Sequence, residues 1–392
     1  MEATQDIVII GGGVVGSSIA YFLKSMAGFD GSVTVLEKDP SYEFGSTARS
    51  WGGVRQQFST PENILMSQFM QEFLREITHH LAVDDTPVDV DYREYGYLFL
   101  AEDRHIPLLY TNNAIQRKLG VNVGLLDTED LMRGYPWMNV SDLAGGSLGL
   151  SGEGRLDAYS LNQAFRKKSI SLGVQFLNAE AVGFEMTAKR INSVLLKDGS
   201  NLPAGSVVNA AGPQAAEIAG WADIELPVRS RKRFAFCFSC RTEISDCPLV
   251  IDPSGVHFSP EGRQFIAGCS PDPGNDPDCS DFEIDYGWFE EHIWPILAHR
   301  VPAFEAIKLE NAWAGHYAYN TLDQNAILGP HPEIMNFFFA NGFSGHGLQQ
   351  SPAVGRGIAE LITHGEYRSL DLSRFSFSRV AAGEAVLERN IV

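Results

Sequence analysis

The sequence predicts a two-part fold: an α/β domain with a parallel sheet, and an α+β domain built mainly from antiparallel strands. Three observations support this fold class. Residues 6–37 read as strand, glycine-rich turn, helix and strand. Residues 337–363 repeat a buried strand, a glycine loop and a helix near the other end of the chain. Between them, residues 226–320 hold short strand-like runs separated by Pro, Asp and Gly, which is typical of antiparallel sheets.

The N-terminal unit carries a dinucleotide fingerprint. Residues 6–10 form an apolar, β-branched run typical of a buried parallel strand. Gly11, Gly13 and Gly16 follow with the spacing G-x-G-x-x-G, which allows a tight turn, a close approach to a pyrophosphate and close packing of the next helix. After a second short strand, Glu37 lies 21 residues beyond Gly16, where an acidic group binds ribose hydroxyls. The unit predicts a dinucleotide site and by itself leaves NAD and FAD open.

A loop at residues 45–58 follows this unit. In this loop hydroxyl-bearing residues lie beside glycines and arginines, and a loop of this composition can run along a planar cofactor and its phosphates. The alternative is that the loop is only a flexible connector. We expect the glycine-rich residues 145–154 to cross between domains, and residues 206–212 to form a strand that ends at the ligand. The predicted helices are 61–82, 104–120, 127–133 and 158–172, and the predicted strands are 92–101, 175–177 and a hairpin that turns at Asp198 and Gly199.

The C-terminal half returns to the first pattern after the antiparallel region. A helix at about 286–299 interrupts that region, and a last helix is predicted from about Pro352 to Thr363. The dinucleotide domain is therefore predicted to be discontinuous. We expect it to comprise residues 1–85, 150–225 and 320–392, and the second domain to comprise residues 86–149 and 226–319.

Composition excludes several classes of partner. The chain has 392 residues, 44% hydrophobic and 20% charged, which is enough for two folded domains. A net charge of −19 argues against binding to nucleic acid or to anionic membrane surfaces. No apolar run reaches the length of a membrane-spanning helix, and the first strand starts at Asp6, so we expect no targeting segment and a cytoplasmic location. An oligomer stays possible.

The cysteines predict neither a disulfide framework nor a metal site. Five cysteines are too few and odd in number for such a long chain. Cys237 and Cys240 form C-x-x-C, but no second pair or nearby histidines complete a zinc site. We expect buried, reduced thiols.

Four stretches together resemble one family. They are IIGGGVVGSSIAYFL with Glu37, STARSWGGVRQQF, SVVNAAGP, and ENAWAGHYAYNTLDQNAILGP followed by FFFANGFSGHGLQQSPAVGRGIAEL. In this order they resemble the D-amino-acid oxidase superfamily, in its glycine oxidase and sarcosine oxidase branch, and also the FAD-dependent oxidoreductase-domain proteins linked to assembly of a mitochondrial respiratory complex. The resemblance implies a glutathione-reductase-like FAD-binding Rossmann domain and an antiparallel sheet domain that covers the isoalloxazine ring.

The resemblance also implies which residues contact FAD. Gly11, Gly13 and Gly16 would hold the pyrophosphate, Glu37 the adenosine ribose, and Val182 the adenine side through its backbone. The loop residues implied along the ribityl chain and ring edge are Ser46, Thr47, Arg49, Ser50, Gly52 and Gly53. Ala210, Ala211 and Gly212 would close over the diphosphate, and Phe343, Ser344, Gly345, His346, Gly347 and Leu348 would run along the pyrimidine end. Val14, Val15, Lys38 and Gly315 complete the implied set. The helix after the last loop would place its positive end near N1–C2=O of the flavin.

The residues that hold the substrate carboxylate in the family are replaced here. Sarcosine oxidases use an arginine three residues after the position of Arg55 and a lysine in the GFSGHG segment, where this chain has Phe58 and Gln349. Glycine oxidases use an arginine shortly after W-A-G, where this chain has Tyr317. The cysteine that bonds to flavin in sarcosine oxidases aligns with His316, so we expect non-covalent FAD.

Candidate catalytic residues surround the implied flavin face. They are His346, Tyr317, His316, Tyr319, His257, Arg231 and Arg233. Several of these residues have an alternative role. It is core packing for the two tyrosines, a structural role for His257, and a solvated surface for two of the four cations in the run from Arg229 to Arg233.

The leading functional hypothesis is an FAD-dependent amine oxidoreductase. Its substrate would be a small N-substituted amino acid, sarcosine-like, iminodiacetate-like or cyclic like proline. Hydride would pass to flavin N5, the imine would hydrolyse, and O2 or another acceptor would reoxidise the flavin. The alternatives are a non-catalytic, flavin-loaded assembly or interaction protein and a 2-hydroxy-acid dehydrogenase.

Overall fold

Two eight-stranded sheets and a small three-stranded sheet organise the computed structural model, which describes residues 5–389. The strands are β1 (Gln5–Ile10), β2 (Val33–Glu37), β3 (Gly53–Val54), β4 (Arg93–Glu94), β5 (Tyr97–Ala101), β6 (Val123–Leu126), β7 (Gly145–Gly149), β8 (Gly154–Arg155), β9 (Gln175–Asn178), β10 (Ala181–Thr187), β11 (Arg190–Leu196), β12 (Asn201–Asn209), β13 (Val228–Cys240), β14 (Leu249–Ile251), β15 (His257–Glu261), β16 (Gln264–Gly268), β17 (Ile307–Asn320), β18 (Ile327–Pro330) and β19 (Phe337–Asn341). The helices are α1 (Val14–Ser25), α2 (Pro61–Arg75), α3 (Ile77–Leu81), α4 (Ile106–Lys118), α5 (Thr128–Gly134), α6 (Ala158–Ser171), α7 (Ala215–Gly220), α8 (Tyr286–Trp288), α9 (Trp294–Arg300), α10 (Gly347–His364) and α11 (Phe377–Ala381), with a π-helical turn at Phe289–Ile293 between α8 and α9.

The first sheet has a parallel centre in the order β19-β12-β1-β2-β9. Residues 7–10 of β1 are apolar and buried on both faces of the sheet; Val8 and Ile9 have no exposed surface. Helices α1, α2, α6 and α10 contribute residues to the core cluster that includes Ile9, and α7 contributes to the cluster that includes Val8. The C-terminal ends of β1, β2 and β12 therefore lie side by side at one edge.

The second sheet runs in the order β17-β13-β16-β15-β14-β5-β7-β6 and is antiparallel except for the pair β14 and β5. Its longest ladder joins β13 to β17, from Val228 opposite Asn320 to Cys240 opposite Ile307. Phe236, Phe238 and other aromatic side chains fill the core beneath it. The predicted fold class, a Rossmann-type domain with a mainly antiparallel sheet domain, is confirmed.

The strands of the two sheets come from interleaved parts of the chain. The second sheet takes β5, β6 and β7, then the five strands from β13 to β17, whereas the first sheet takes strands before, between and after these groups. The domain boundaries given above stay a prediction.

Four predicted elements differ from the structure. The strand predicted at 92–101 is divided into β4 and β5, which belong to different sheets. The helix predicted at 61–82 is interrupted at Glu76, where the backbone leaves helical geometry. Residues 145–154 contain strands β7 and β8 and are not a plain crossing; an added Cβ at Gly145 would lie 2.6 Å from the carbonyl oxygen of Leu126, so glycine is needed for this close pairing. The last helix begins at Gly347, ahead of Pro352.

Pro352 fits inside α10 because its missing N–H is compensated. The carbonyl of Leu348, four residues earlier, accepts a hydrogen bond from Ser351 Oγ at 2.8 Å. The Ser351 carbonyl in turn accepts from Ser18 Oγ at 2.8 Å, which fixes α10 against α1.

The five cysteines are free thiols. Cys237 and Cys247 are buried as expected, whereas Cys240, Cys269 and Cys279 are only partly buried. Across residues 5–389, none of the helices is both long and apolar enough to span a bilayer.

Candidate active site

A cavity of about 780 Å³ is lined by residues of both large sheets. On the side of the first sheet, Gly11, Glu37 and Ala210 line it at the C-terminal ends of β1, β2 and β12. On the side of the second sheet, Ile251 of β14 and Tyr317 of β17 line it. Ligands of open parallel sheets bind at this end of the strands.

The glycine fingerprint lets α1 begin at the cavity wall. Gly11 has φ +105°, and an added Cβ there would lie 2.4 Å from the carbonyl oxygen of Ala210. A Cβ on Gly16 would lie 2.0 Å from the Gly11 carbonyl oxygen, so the helix packs against the turn only with glycine. The N–H of Val14 donates to Thr47 Oγ1 at 3.1 Å. The N-terminal turn of α1 presents further N–H groups and the positive end of the helix dipole to the cavity.

Glu37 lines the cavity and fixes the glycine-rich turn after β1. Its Oε2 accepts from the N–H of Gly12 at 2.9 Å and its Oε1 from the N–H of Asp39 at 2.8 Å. Residues 179–181 line the cavity beside it. Val182 does not line the cavity; its side chain is 46% exposed on β10.

The loop before α10 is held against β17. Ser344 has φ +50°, and its Oγ accepts from the N–H of Asn320 at 2.9 Å. Gly345 has φ +98°, and an added Cβ would lie 2.6 Å from the ring of Tyr317. Because α10 begins at Gly347, a second helix N-terminus opens onto the cavity.

The loop that contains residues 46–55 is tied to the same strand. Ser46 Oγ donates to the carbonyl of His316 at 2.6 Å, and Arg49 Nη1 donates to the carbonyl of Ala314 at 2.9 Å. Trp313 Nε1 donates back to the carbonyl of Arg49 at 3.1 Å. These bonds and the bond between Ser344 and Asn320 bring three segments that are distant in the chain to one wall.

Arg55 places a buried positive charge at this wall. The residue is 4% exposed, and its Nη1 donates to the carbonyl of Gln57 at 2.9 Å. Its Nη2 lies 3.2 Å from Nε2 of His346, and its guanidinium carbon lies 4.2 Å from the ring centroid of Phe58. The side-chain oxygen of Gln349 accepts from the Arg55 N–H at 2.7 Å.

Two carboxylates that share this region are also buried. Glu153 accepts from the N–H groups of Gln56 and Gln57 at 2.6 and 3.0 Å, and burial raises its pKa to about 7. Glu388 accepts from the N–H of Ser59 at 2.6 Å. Burial lowers the pKa of Arg55, and the charge of Glu388 is the largest influence that raises it.

The histidines of the site are neutral at pH 7. Burial and, second, the charge of Arg55 lower the pKa of His346 to about 3. Burial lowers the pKa of His257 to about 4, and its Nδ1 lies 3.1 Å from the carbonyl oxygen of Gly255. The ring of Trp51 lies 4.7 Å from that of His257.

The basic run of β13 is paired with acids of one following loop. The pairs are Arg229 and Arg231 with Asp278 at 3.8 and 3.4 Å, Lys232 with Asp281 at 2.7 Å, and Arg233 with Asp276 at 2.7 Å. Of the four cations, Arg233 lines the cavity, and Arg231 does not. The contact of Arg233 with Asp276 is bidentate, through Nη1 at 2.8 Å and Nη2 at 2.7 Å.

A sequence model described as "DAO: FAD dependent oxidoreductase" matches residues 6–361. The chain belongs to the DAO family of FAD-dependent oxidoreductases. It is 44% identical to FAD-dependent oxidoreductase domain-containing protein 1 of Xenopus laevis, over 99% of this chain and 85% of that protein. It is 26% identical to glycine oxidase of Geobacillus kaustophilus, over 97% and 98% of the two chains. The crystal structure of L-proline dehydrogenase from P. horikoshii superposes with a TM-score of 0.87 at 28% identity, covering 98% and 100% of the two chains.

The residues of the cavity fit the family's cofactor. The turn at Gly11 leaves no room for a Cβ beside the cavity, and the same holds for Gly345 at the other helix. Two helix N-termini line one cavity, together with the acidic residue Glu37 and the rings of Tyr317 and His346. A diphosphate between an adenosine and a flavin ring needs this arrangement of donors.

Most residues implied for FAD line the cavity. They are Gly11, Gly13, Val14, Val15, Glu37, Lys38, Ser46, Thr47, Arg49, Ser50, Gly53, Ala210, Ala211, Gly212, Gly315, Phe343, Ser344, Gly345, His346, Gly347 and Leu348. Gly16 and Gly52 lie behind this wall, where each allows backbone to pack closely. Their individual contacts with FAD stay predictions.

The candidate catalytic residues divide into two groups. His346, Tyr317, His316, His257 and Arg233 line the cavity. Tyr319 and Arg231 do not line it, and the guanidinium carbon of Arg231 lies 5.9 Å from the Tyr319 ring centroid.

Sequence reasoning missed several residues of the cavity. They are Arg55, Trp51, Tyr97, Leu249, Ile251 and Cys269, which line the cavity and are absent from the residue sets implied above. Arg55 and Trp51 lie inside the quoted stretch STARSWGGVRQQF, so the position of that stretch was a signal for them. No local pattern marks the other four.

Proposed function

We propose that this protein catalyses FAD-dependent oxidation of the C–N bond of a small secondary-amine amino acid. The observation that carries the proposal is the buried guanidinium of Arg55, which lines the same cavity as Tyr317 and His346. A buried cation beside the flavin end of the site provides the charge that a substrate carboxylate needs once it leaves water.

The replaced carboxylate anchors of the family support this role for Arg55. Phe58 is fully buried and packs against the guanidinium, and Gln349 accepts from the backbone N–H of Arg55. These two positions therefore hold Arg55 in place. The hydroxyl of Tyr317, for which no hydrogen bond is found within residues 5–389, is the second donor proposed for the carboxylate.

The neutral histidines favour an amine over a hydroxy acid. When bound, FAD supplies the hydride acceptor. The ammonium group of an amino acid can lose its proton to water before the neutral amine gives up its α-hydride, whereas an alcohol must transfer its hydroxyl proton to a base within the site. With pKa values of about 3 and 4, His346 and His257 are weak bases at pH 7.

The comparisons support an amino-acid substrate. L-proline dehydrogenase and glycine oxidase, which both resemble this chain over nearly its whole length, are named for amino acids, and proline is a secondary amine. The name of the Xenopus relative states no activity. A flavin-loaded protein without catalysis is the competing hypothesis.

Anaerobic mixing of the FAD-loaded protein with a panel of compounds tests the proposal. The panel holds sarcosine, L-proline, N-alkylglycines and the matching 2-hydroxy acids. We expect loss of the oxidised flavin absorbance with at least one secondary amine and with none of the hydroxy acids. Bleaching by a hydroxy acid alone, or by no member of the panel, would contradict the proposal.

We further propose that FAD is bound without a covalent link. In the part of the chain described by the structure, Nε2 of His316 is buried and has no hydrogen-bond partner, so this ring is the candidate for a covalent bond to FAD. Acid precipitation should leave FAD in the supernatant. Flavin that stays with the precipitate, and is lost from it in His316→Ala, would show a covalent bond to that ring.

A further inference from the structure

The cavity has an apolar pocket under the second sheet, which we call the roof pocket. It is lined by Trp51, Leu249, Ile251, His257 and Cys269. Ile251 pairs with His257 across β14 and β15, so both belong to one stretch of sheet. Leu249 and Ile251 are 3% and 7% exposed. The pocket therefore offers a substrate mainly carbon, sulfur and aromatic surface.

The ring of Trp51 closes one side of the roof pocket. It lies 4.7 Å from the His257 ring, and an added Cβ on Gly268 would come within 2.8 Å of it. Glycine at the end of β16 therefore lets the indole approach the sheet closely. A neutral imidazole beside an indole adds no charge to the pocket.

A second arginine, Arg233, lies near the pocket, and a carboxylate of this chain neutralises its charge. The guanidinium carbon of Arg233 lies 5.2 Å from the ring centroid of Tyr317. Asp276 binds this guanidinium through both carboxylate oxygens, and the two side chains are only 12% and 7% exposed. A bidentate pair removed from water leaves little charge for a third group.

We propose that the site is specific for monocarboxylic amino acids with an apolar substituent, which enters the roof pocket, and that the Arg233–Asp276 pair excludes a second carboxylate. This deepens the proposed function and rests on it. Of the candidate substrates, proline-like and N-alkyl amino acids fit, whereas iminodiacetate-like compounds do not. One carboxylate binds at Arg55, and the remainder of the substrate meets apolar surface.

Ligands that cannot be oxidised test this inference independently of turnover. Pentanoate and glutarate have the same chain length, and a methyl group of the first replaces a carboxylate of the second. Isothermal titration calorimetry of the FAD-loaded protein should give at least about tenfold tighter binding of pentanoate. Equal or tighter binding of glutarate would overturn the inference. Because no reaction occurs, failure of amine oxidation would not produce that result.

Two matched variants test whether the Arg233–Asp276 pair excludes a second carboxylate. Asp276→Asn keeps the shape of the side chain but releases the charge of Arg233, so glutarate affinity should rise by about tenfold relative to pentanoate. Asp278→Asn is the control, because Asp278 pairs with Arg229 and Arg231, which do not line the cavity. The ratio of glutarate affinity to pentanoate affinity should not change in Asp278→Asn.

A third variant tests the apolar pocket itself. Trp51→Ala should weaken pentanoate binding while acetate, which is too short to reach the indole, binds as before. For Asp276→Asn, a ratio of glutarate affinity to pentanoate affinity that stays at the wild-type value, in protein that retains FAD, would overturn the role of the Arg233–Asp276 pair. Unchanged pentanoate binding in Trp51→Ala would overturn the role of the pocket.

Discussion

Replacing Arg55 with methionine removes the charge that we assign to the substrate carboxylate while keeping an apolar chain of similar length. The guanidinium is 4% exposed and packs 4.2 Å from the ring of Phe58, so methionine should retain much of the packing. Truncating one partner of a buried, hydrogen-bonded charge pair costs about 2–5 kcal/mol. Substrate affinity should therefore fall by roughly 30-fold to several thousandfold.

Anaerobic stopped-flow measurement of flavin reduction separates binding from chemistry. In Arg55→Met, the substrate concentration for half-maximal rate should rise by that factor, and the limiting rate should change less. Arg55→Lys keeps a charge but loses the planar fork, so its loss should be intermediate. Arg231→Met is the matched control, since this arginine does not line the cavity.

A second signal comes from His346. The charge of Arg55 lowers the pKa of this ring, so its pKa should rise in Arg55→Met when followed by NMR. Wild-type affinity in a variant that still holds FAD would refute the reasoning, and the carboxylate would then be bound elsewhere.

Three further outcomes follow from the geometry. Glu37→Ala removes the acceptor for the Gly12 N–H and the acceptor predicted for the ribose, so the dissociation constant of FAD should rise by roughly tenfold to a hundredfold, as equilibrium dialysis would show. Gly345→Ala should lower the melting temperature and FAD retention more than Gly365→Ala does, because both glycines have positive φ but an added Cβ clashes only at Gly345. Between pH 6.5 and 4 the unfolded chain takes up a proton at His257 that the buried ring of the folded protein does not, so the free energy of unfolding falls by up to about 3 kcal/mol. His257→Gln should remove this part of the loss, and chemical denaturation at several pH values measures the free energy of unfolding.

The dinucleotide half of the site could be predicted because its signals are local. Gly11, Gly16 and Glu37 lie in one strand–helix–strand unit, and their spacing reflects backbone geometry that operates within it. The start of α10 was predicted too late because proline usually marks a helix beginning, and the compensating bond from Ser351 to Leu348 is not visible in a pattern of residue types.

The substrate half depends on contacts between distant parts of the chain. Arg55 meets His346 across 291 positions, and Arg233 meets Asp276 across 43. A basic run by itself indicates a solvated face, and only the fold shows that an acidic loop neutralises it. Tyr319 lies two residues from Tyr317 on β17, so both side chains are on one side of the sheet, yet only Tyr317 lines the cavity. The alternation of side chains along a strand does not say where the cavity ends.

The most direct test of the central claim is a single turnover with a substrate deuterated at the carbon next to nitrogen. FAD-loaded protein is mixed without oxygen with the best secondary amine of the panel, and flavin reduction and product are measured together. We predict one equivalent of amine consumed per FAD reduced, with slower reduction of the flavin for the deuterated compound. Reduction at the same rate for both compounds, or an amine recovered unchanged, would contradict oxidation of the C–N bond at this site.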